Sequence, residues 1–266
     1  MRRLHLFSIL SCCLFVLGSL SAQENRNQAF WVHEDQVRPG MVSEYEDLSK
    51  ELVDAAKKSK LQNMRWAVAA MDNGNYLSIT PIKNMADLES KSFQPLMDSM
   101  GEDKFNGMMS RFNDMYDKHG DYIIVLDNDL SYMPEGLVTS TPGKDYRKWH
   151  KMSVNAENVS QLRDKLVELK NVFDQKGSKM YYRIYRSGFG NMGAYFVAVI
   201  SAKDATDYAQ MSAENEKLLG EEGKQKFREV MDLVSAYDVS EGGMRPDLAY
   251  APEATPVEEM PANDDD

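Results

Sequence analysis

The sequence predicts an α+β protein made of two tandem copies of one β-α-β-β-α-β unit, and three observations carry that prediction. First, Asp129-Leu130-Ser131-Tyr132-Met133-Pro134-Glu135 recurs as Asp247-Leu248-Ala249-Tyr250-Ala251-Pro252-Glu253, with five identities in seven. Second, His33, Val37, Val42, Ser43 and Asp47 recur at an almost identical offset as His150, Val154, Val159, Ser160 and Asp164. Two separated blocks in nearly one register mark an internal repeat. Third, the segments between the blocks match in type: apolar residues at helical spacing, then two short alternating runs around a turn.

The first unit opens on a strand from Phe30 to Val37, turned by Arg38-Pro39-Gly40 into a helix from Met41 to Lys58. Val42, Tyr45, Leu48, Leu52 and Ala55/Ala56 lie on one face of that helix. Met64 to Met71 and Tyr76 to Ile82 form a hairpin around Asp72-Asn73-Gly74-Asn75, because Asn-Gly favours the turn that joins antiparallel strands. Helices follow over Met85–Met100 and Glu102–Lys118, and a last strand carries the Asp-Leu-x-Tyr block. The second unit runs in parallel. Trp149 to Val154 is its first strand, and Val159, Leu162, Leu166, Leu169, Val172 and Phe173 stripe its first helix. A hairpin joins Met180–Ser187 to Ala194–Ile200 around Gly188-Phe189-Gly190-Asn191. Helices over Asp204–Leu219 and Glu221–Ala236 precede a strand holding the second block. Pro134 and Pro252 are expected to stop the two last strands, since proline removes a ladder donor.

This order is the ferredoxin-like split βαβ pattern with an extra helix per unit. The expected division is a signal peptide over 1–22, a first unit over 23–135, a linker over 136–145, a second unit over 146–251 and an acidic tail over 252–266. Arg2 and Arg3, the apolar run Leu4–Leu17 and the small residues Gly18, Ser19, Ser21 and Ala22 have the layout of an export signal. That run is shorter than the roughly 20 residues of a spanning helix, so no transmembrane segment is expected and the mature chain is periplasmic or secreted. Ile9-Leu10-Ser11-Cys12 leaves a lipidated cysteine as the other reading of the same segment. Both cysteines, Cys12 and Cys13, fall within it, so the mature chain holds no disulfide.

The full chain has a formal net charge of −11, and removing 1–22 takes away two arginines and no acids. Net acidity without a basic cluster excludes nucleic acid as an expected partner. Glu253, Glu258, Glu259, Asp264, Asp265 and Asp266, without a base among the last residues, predict a tail that does not fold. No dinucleotide or phosphate loop and no nucleophile elbow is present.

Candidate site residues come from the second hairpin, where one strand face carries Tyr181, Arg183 and Tyr185. An arginine between tyrosines fits two roles. Its fork of donors can hold a carboxylate or phosphate among apolar walls, or its stem can lie over the rings with the head in solvent. His33 and His150 occupy matching places on the two first strands, as a shared packing pair or as part of a site. No metal site is predicted from them, because no further ligands converge in sequence. His119, just before Gly120, reads as a helix C-terminal cation.

The run Val37-Arg38-Pro39-Gly40 to Tyr45, the hairpin, and the strand end Thr80-Pro81-Ile82 resemble the dimeric α+β barrel superfamily. That group includes antibiotic-biosynthesis monooxygenase-like proteins, stress-responsive barrels and chlorite dismutases. The resemblance implies two sheets packed face to face, here supplied by one chain as an intramolecular pseudo-dimer that can pair again as a homo-oligomer. For function, the sequence supports a small-molecule-binding or accessory protein with an anionic ligand. The resemblance implies the alternative, a barrel-type monooxygenase or haem-linked enzyme. Haem-degrading barrels use Asn, Trp and His, and this chain has Trp31, Trp66 and Trp149. Chlorite dismutases ligate haem through a second-unit histidine, where this chain has His150. No cofactor follows from the residues themselves.

Overall fold

A computed structural model describes residues 27–90 and 92–253. The predicted signal segment, its cysteines and the tail from 254 onward lie outside the described residues. The described residues form eight strands and five α-helices: β1 Gln28–Val37, α1 Val42–Lys58, β2 Ala67–Met71, β3 Asn75–Ile82, α2 Gln94–Met100, α3 Glu102–Phe112, β4 Tyr116–Tyr132, β5 Tyr146–Val154, α4 Val159–Gln175, β6 Tyr182–Ser187, β7 Ala194–Ala202, α5 Ala205–Met231 and β8 Val234–Met244. The strands close into an antiparallel barrel in the order β1-β3-β2-β8-β5-β7-β6-β4. No helix among the described residues is long and apolar enough to cross a membrane.

The helical stripes do what their spacing predicts. Of the predicted α1 stripe Tyr45, Leu48 and Ala56 are buried and Val42, Leu52 and Ala55 partly so, with Val53, outside the stripe, buried as well; Leu162, Leu166, Leu169, Val172 and Phe173 of α4 are buried. Each fully buried leucine, valine or phenylalanine among them contributes about 1.5–3 kcal/mol relative to exposure. α1, α2 and α3 pack on β1–β3 around Leu48, Leu96 and Phe105, while α4 and α5 pack on β5–β7 around Leu162, Ile184 and Val230. α5 breaks at Gly220, whose φ of 61° only glycine adopts without strain. Where β8 crosses to β2, a Cβ on Gly242 would sit 2.2 Å from the Ala70 carbonyl oxygen, so the barrel seam requires glycine there.

Three expectations are corrected. The helices predicted to reach Lys118 and Ala236 end at Phe112 and Met231, and β4 and β8 begin at Tyr116 and Val234. Their first residues are exposed and lack alternation, so only pairing with a neighbour makes them strands: Tyr116 opposes Val37, and Val234 opposes Val154. His119 is therefore a strand residue opposite Asp35 and not a helix cap. Finally, Asp247 and Leu248 sit in a 3-10 turn beyond the end of β8, started by Pro246, and Tyr250 forms an isolated bridge with Trp66.

The repeated Asp-Leu-x-Tyr blocks reach across the barrel. Tyr132 pairs with Tyr182, and its hydroxyl donates to the Ser178 carbonyl at 3.0 Å. Tyr250 pairs with Trp66 and donates to the Leu61 carbonyl at 2.5 Å. Leu130 lies in the cluster around α4, and Leu248 in the cluster around α1. Each apolar cluster is thus completed by the block from the other side of segment 136–145.

Ion pairs fasten the second block. Arg245 donates to Asp247 at 2.7 and 2.9 Å and, through Nη2, to Glu46 of α1 at 2.9 Å; Tyr76 also donates to Glu46 at 2.6 Å. Hydrogen bonding to Arg245 is the main cause that holds both carboxyls below their usual range. A depressed carboxylate pKa contributes stability that is full above the unfolded value of about 4 and is lost as pH falls through the folded value. The urea midpoint of the native protein should therefore drop between pH 7 and about pH 3. In Arg245→Ala that drop should be smaller, and an equal drop in both proteins would exclude this link.

Candidate functional site

Strand alternation assigns the two faces of the sheet. Met152, Val154, Tyr182, Ile184, Phe196 and Ile200 pack with α4, so the opposite face of β5–β7, with Arg147, Arg183, Tyr185, Val199 and Ser201, looks into the barrel. Arg183 and Arg147 are 2 % and 4 % exposed. Among the described residues neither guanidinium forms an ion pair with a carboxylate.

Most donors of the two groups are met by neutral oxygens, those of Val138, Thr141 and Lys144 in the segment joining β4 to β5 among them. Arg183 Nε donates to the Val138 carbonyl and Nη1 to Ser201 Oγ at 2.9 Å. Its Nη2 is buried without a hydrogen-bond partner. Arg147 donates to the carbonyls of Lys144 and Tyr146 and, at 3.4 Å, to Thr141 Oγ1. Burial lowers both guanidinium pKa values. Arg147 is brought down to about 10, with repulsion from Arg183 the next cause and weaker relief from Tyr185 and Asp145. Two such cations side by side are an unbalanced charge in a poorly solvated place.

A cavity of about 40 Å³ lies beside Arg183, lined also by Thr141, Lys144, Lys179, Tyr181 and Ser201. That space holds a few waters, or the head of an anionic ligand. Tyr185, next along the same face, meets Phe30 of β1 edge to face at 6.1 Å. Burial raises the Tyr185 phenol, and the two arginines oppose that rise.

Of the residues singled out in sequence, Arg183 and Tyr181 line the cavity and Tyr185 continues their row. His150 and His33 do not join them, because both point to the helix side of the sheet. His150 Nδ1 contacts the Tyr237 hydroxyl at 2.6 Å and Nε2 the Tyr208 hydroxyl at 3.0 Å; burial lowers its pKa. His33 lies between Asp35 and Asp121, at 3.2 and 2.9 Å, and the hydrogen bond to Asp35 leads the causes that raise it to about 9. Arg147, Lys144 and Lys179 were missed. The one available signal was alternation, which puts Arg147 on the same strand face as Trp149.

No known family model matches the chain, and no curated protein matches it in sequence. Solved structures do match in shape. An anthrone oxidase-like protein aligns with 84 % of this chain and 92 % of its own at a TM-score of 0.57 and 12 % identity. The chain has the dimeric α+β barrel fold. A Fusobacterium nucleatum protein assigned provisionally as a monooxygenase covers 83 % of the chain and 93 % of itself, with a TM-score of 0.54 and 10 % identity. A mutant chlorite dismutase from Candidatus Nitrospira defluvii covers 82 % and 92 %, with a TM-score of 0.50 and 11 % identity. At such identities the likeness concerns the fold of this barrel, and its chemistry rests on its own residues.

Proposed function

We propose that this α+β barrel is an exported binding or accessory protein that holds a small anionic ligand on Arg147 and Arg183. It is built as two tandem ferredoxin-like units forming an intramolecular pseudo-dimer. The single observation behind the binding role is the buried, unpartnered Nη2 of Arg183, beside a second buried guanidinium and a cavity with two lysines. A buried charge left without a partner is costly, and an anion in the cavity would supply both the missing acceptor and the missing charge. Tyr181 and Met211 give the pocket apolar walls. The strand order supports duplication: β4-β1-β3-β2 in one half repeats as β8-β5-β7-β6 in the other.

Calorimetric titration with inorganic phosphate and with an aromatic carboxylate tests the binding role. Arg183→Ala should weaken the bound anion by about 1.5–3 kcal/mol, the worth of a charged hydrogen bond. Affinities that are equal in the native protein, Arg183→Ala and Arg147→Ala would reject it.

A barrel-type monooxygenase or haem-linked enzyme is the second reading. Haem fits the residues poorly, because both ring nitrogens of His150 are held by tyrosine hydroxyls. Cofactor-free oxidation is favoured only by the likeness to oxidase-like barrels, and oxygen uptake with phenolic aromatics would establish it.

A further inference from the structure

We propose that His33, Asp35 and His119 form a site for a first-row divalent transition metal, separate from the anion pocket and present in only one half of the barrel. The three residues come together because His119 on β4 pairs directly with Asp35 on β1, and His33 lies two residues along from Asp35 on the same face. One ligand atom from each lies within 4.8 Å of the other two. His33 Nε2 and Asp35 Oδ1 are 3.2 Å apart, close to the edge of about 3.3 Å expected for a tetrahedron with metal–ligand bonds near 2.05 Å. His119 is exposed, so a side-chain rotation closes the remaining gap.

The surroundings of the three ligands are what a metal centre requires. Asp35 is 4 % exposed; its Oδ2 accepts from the Tyr45 hydroxyl at 2.8 Å, while its buried Oδ1 faces no donor other than His33 Nε2, 3.2 Å away. That oxygen is the one aimed at His33 Nε2. On the far side of the ring, His33 Nδ1 meets Asp121 Oδ1 at 2.9 Å, and Asp121 is fixed by Trp31 Nε1 at 2.8 Å. A carboxylate on the second nitrogen orients a ligating imidazole and raises its basicity. Tyr116 stacks on His119 with ring centres 4.9 Å apart, and the two imidazoles meet edge to face at 5.6 Å.

The other half carries a natural comparison. His150 occupies the place of His33, but Met152 stands where Asp35 does and Tyr237 opposite it where His119 does. Val239 replaces Asp121 opposite His150. Every carboxylate of the constellation is missing there, and both nitrogens of His150 are satisfied by hydroxyls. Two imidazoles and one carboxylate favour zinc, iron or cobalt over magnesium or calcium, and three protein ligands leave positions open for water or substrate.

The test is titration of the untagged, chelator-stripped chain with Zn²⁺, with Mg²⁺ in parallel, and visible absorption on adding Co²⁺. One zinc per chain is expected, with a cobalt spectrum more intense than that of the hydrated ion. His119→Ala removes an exposed ligand without disturbing the core and should weaken zinc by tenfold or more. Asp121→Asn, which touches no metal, should weaken it by about 10–100-fold and shift the cobalt bands. Zinc affinity unchanged in His119→Ala, binding of Mg²⁺ as tight as that of Zn²⁺, or no stoichiometric zinc at all would each overturn the proposal. Failure here leaves the anion pocket untouched, since no residue is shared.

Discussion

Truncating Leu248 to alanine is expected to destabilise the protein by about 2–5 kcal/mol, the cost of removing a buried leucine and leaving a cavity. Leu248 is 1 % exposed and sits in the cluster of α1, far in sequence from most of its neighbours. Its carbonyl, which accepts from Trp66 Nε1 at 2.9 Å, survives the substitution, so the measured loss reports packing and not the hydrogen bond. Leu218, 44 % exposed on α5, provides the control: Leu218→Ala should stay within about 0.5 kcal/mol of the native protein. Urea unfolding measures both. Equal stabilities for the two variants would mean that the second block does not anchor the first cluster.

Arg163→Ala should have a comparable effect for an electrostatic reason. Asp127 is fully buried; it accepts from Arg163 and, at 3.2 Å, from the Leu130 amide. Removing the arginine strands a carboxylate in the interior, which costs about 3–5 kcal/mol. Arg186, 3.9 Å away, takes up part of that charge, so the lower end of the range is expected. In an Asp127→Asn background the same substitution should cost much less, because no buried charge is left behind. Additive losses in the double variant would show that Arg163 acts by packing alone.

Much of the barrel was legible in the sequence, since α1, α4 and both hairpins follow from periodicity and turn residues that need no distant partner. The starts of β4 and β8 were not. Tyr116-Asp117-Lys118-His119 is polar on both faces, and its strand character comes from β1 alongside it. The same loss of information hid part of each candidate site. Asp35 and His119 become neighbours only when β1 and β4 pair, and Arg147 meets Arg183 only across β7. Arg183, Tyr181 and Tyr185 could be named because alternation along one strand places them on one face. Tyr132 and Tyr250 announced a shared role by repetition, but no local pattern states which half accepts the hydroxyl.

The crossing of the two blocks has a consequence for the order in which the molecule assembles. Trp66 waits for Leu248 and Leu61 for Tyr250, contacts separated by 182 and 189 residues. Contacts this distant slow folding, because the chain between them must be confined before they form. Until the residues after β8 are made, Trp66 and Leu61 lack these partners. Completion of the first cluster is therefore tied to residues made long after the helices they pack against.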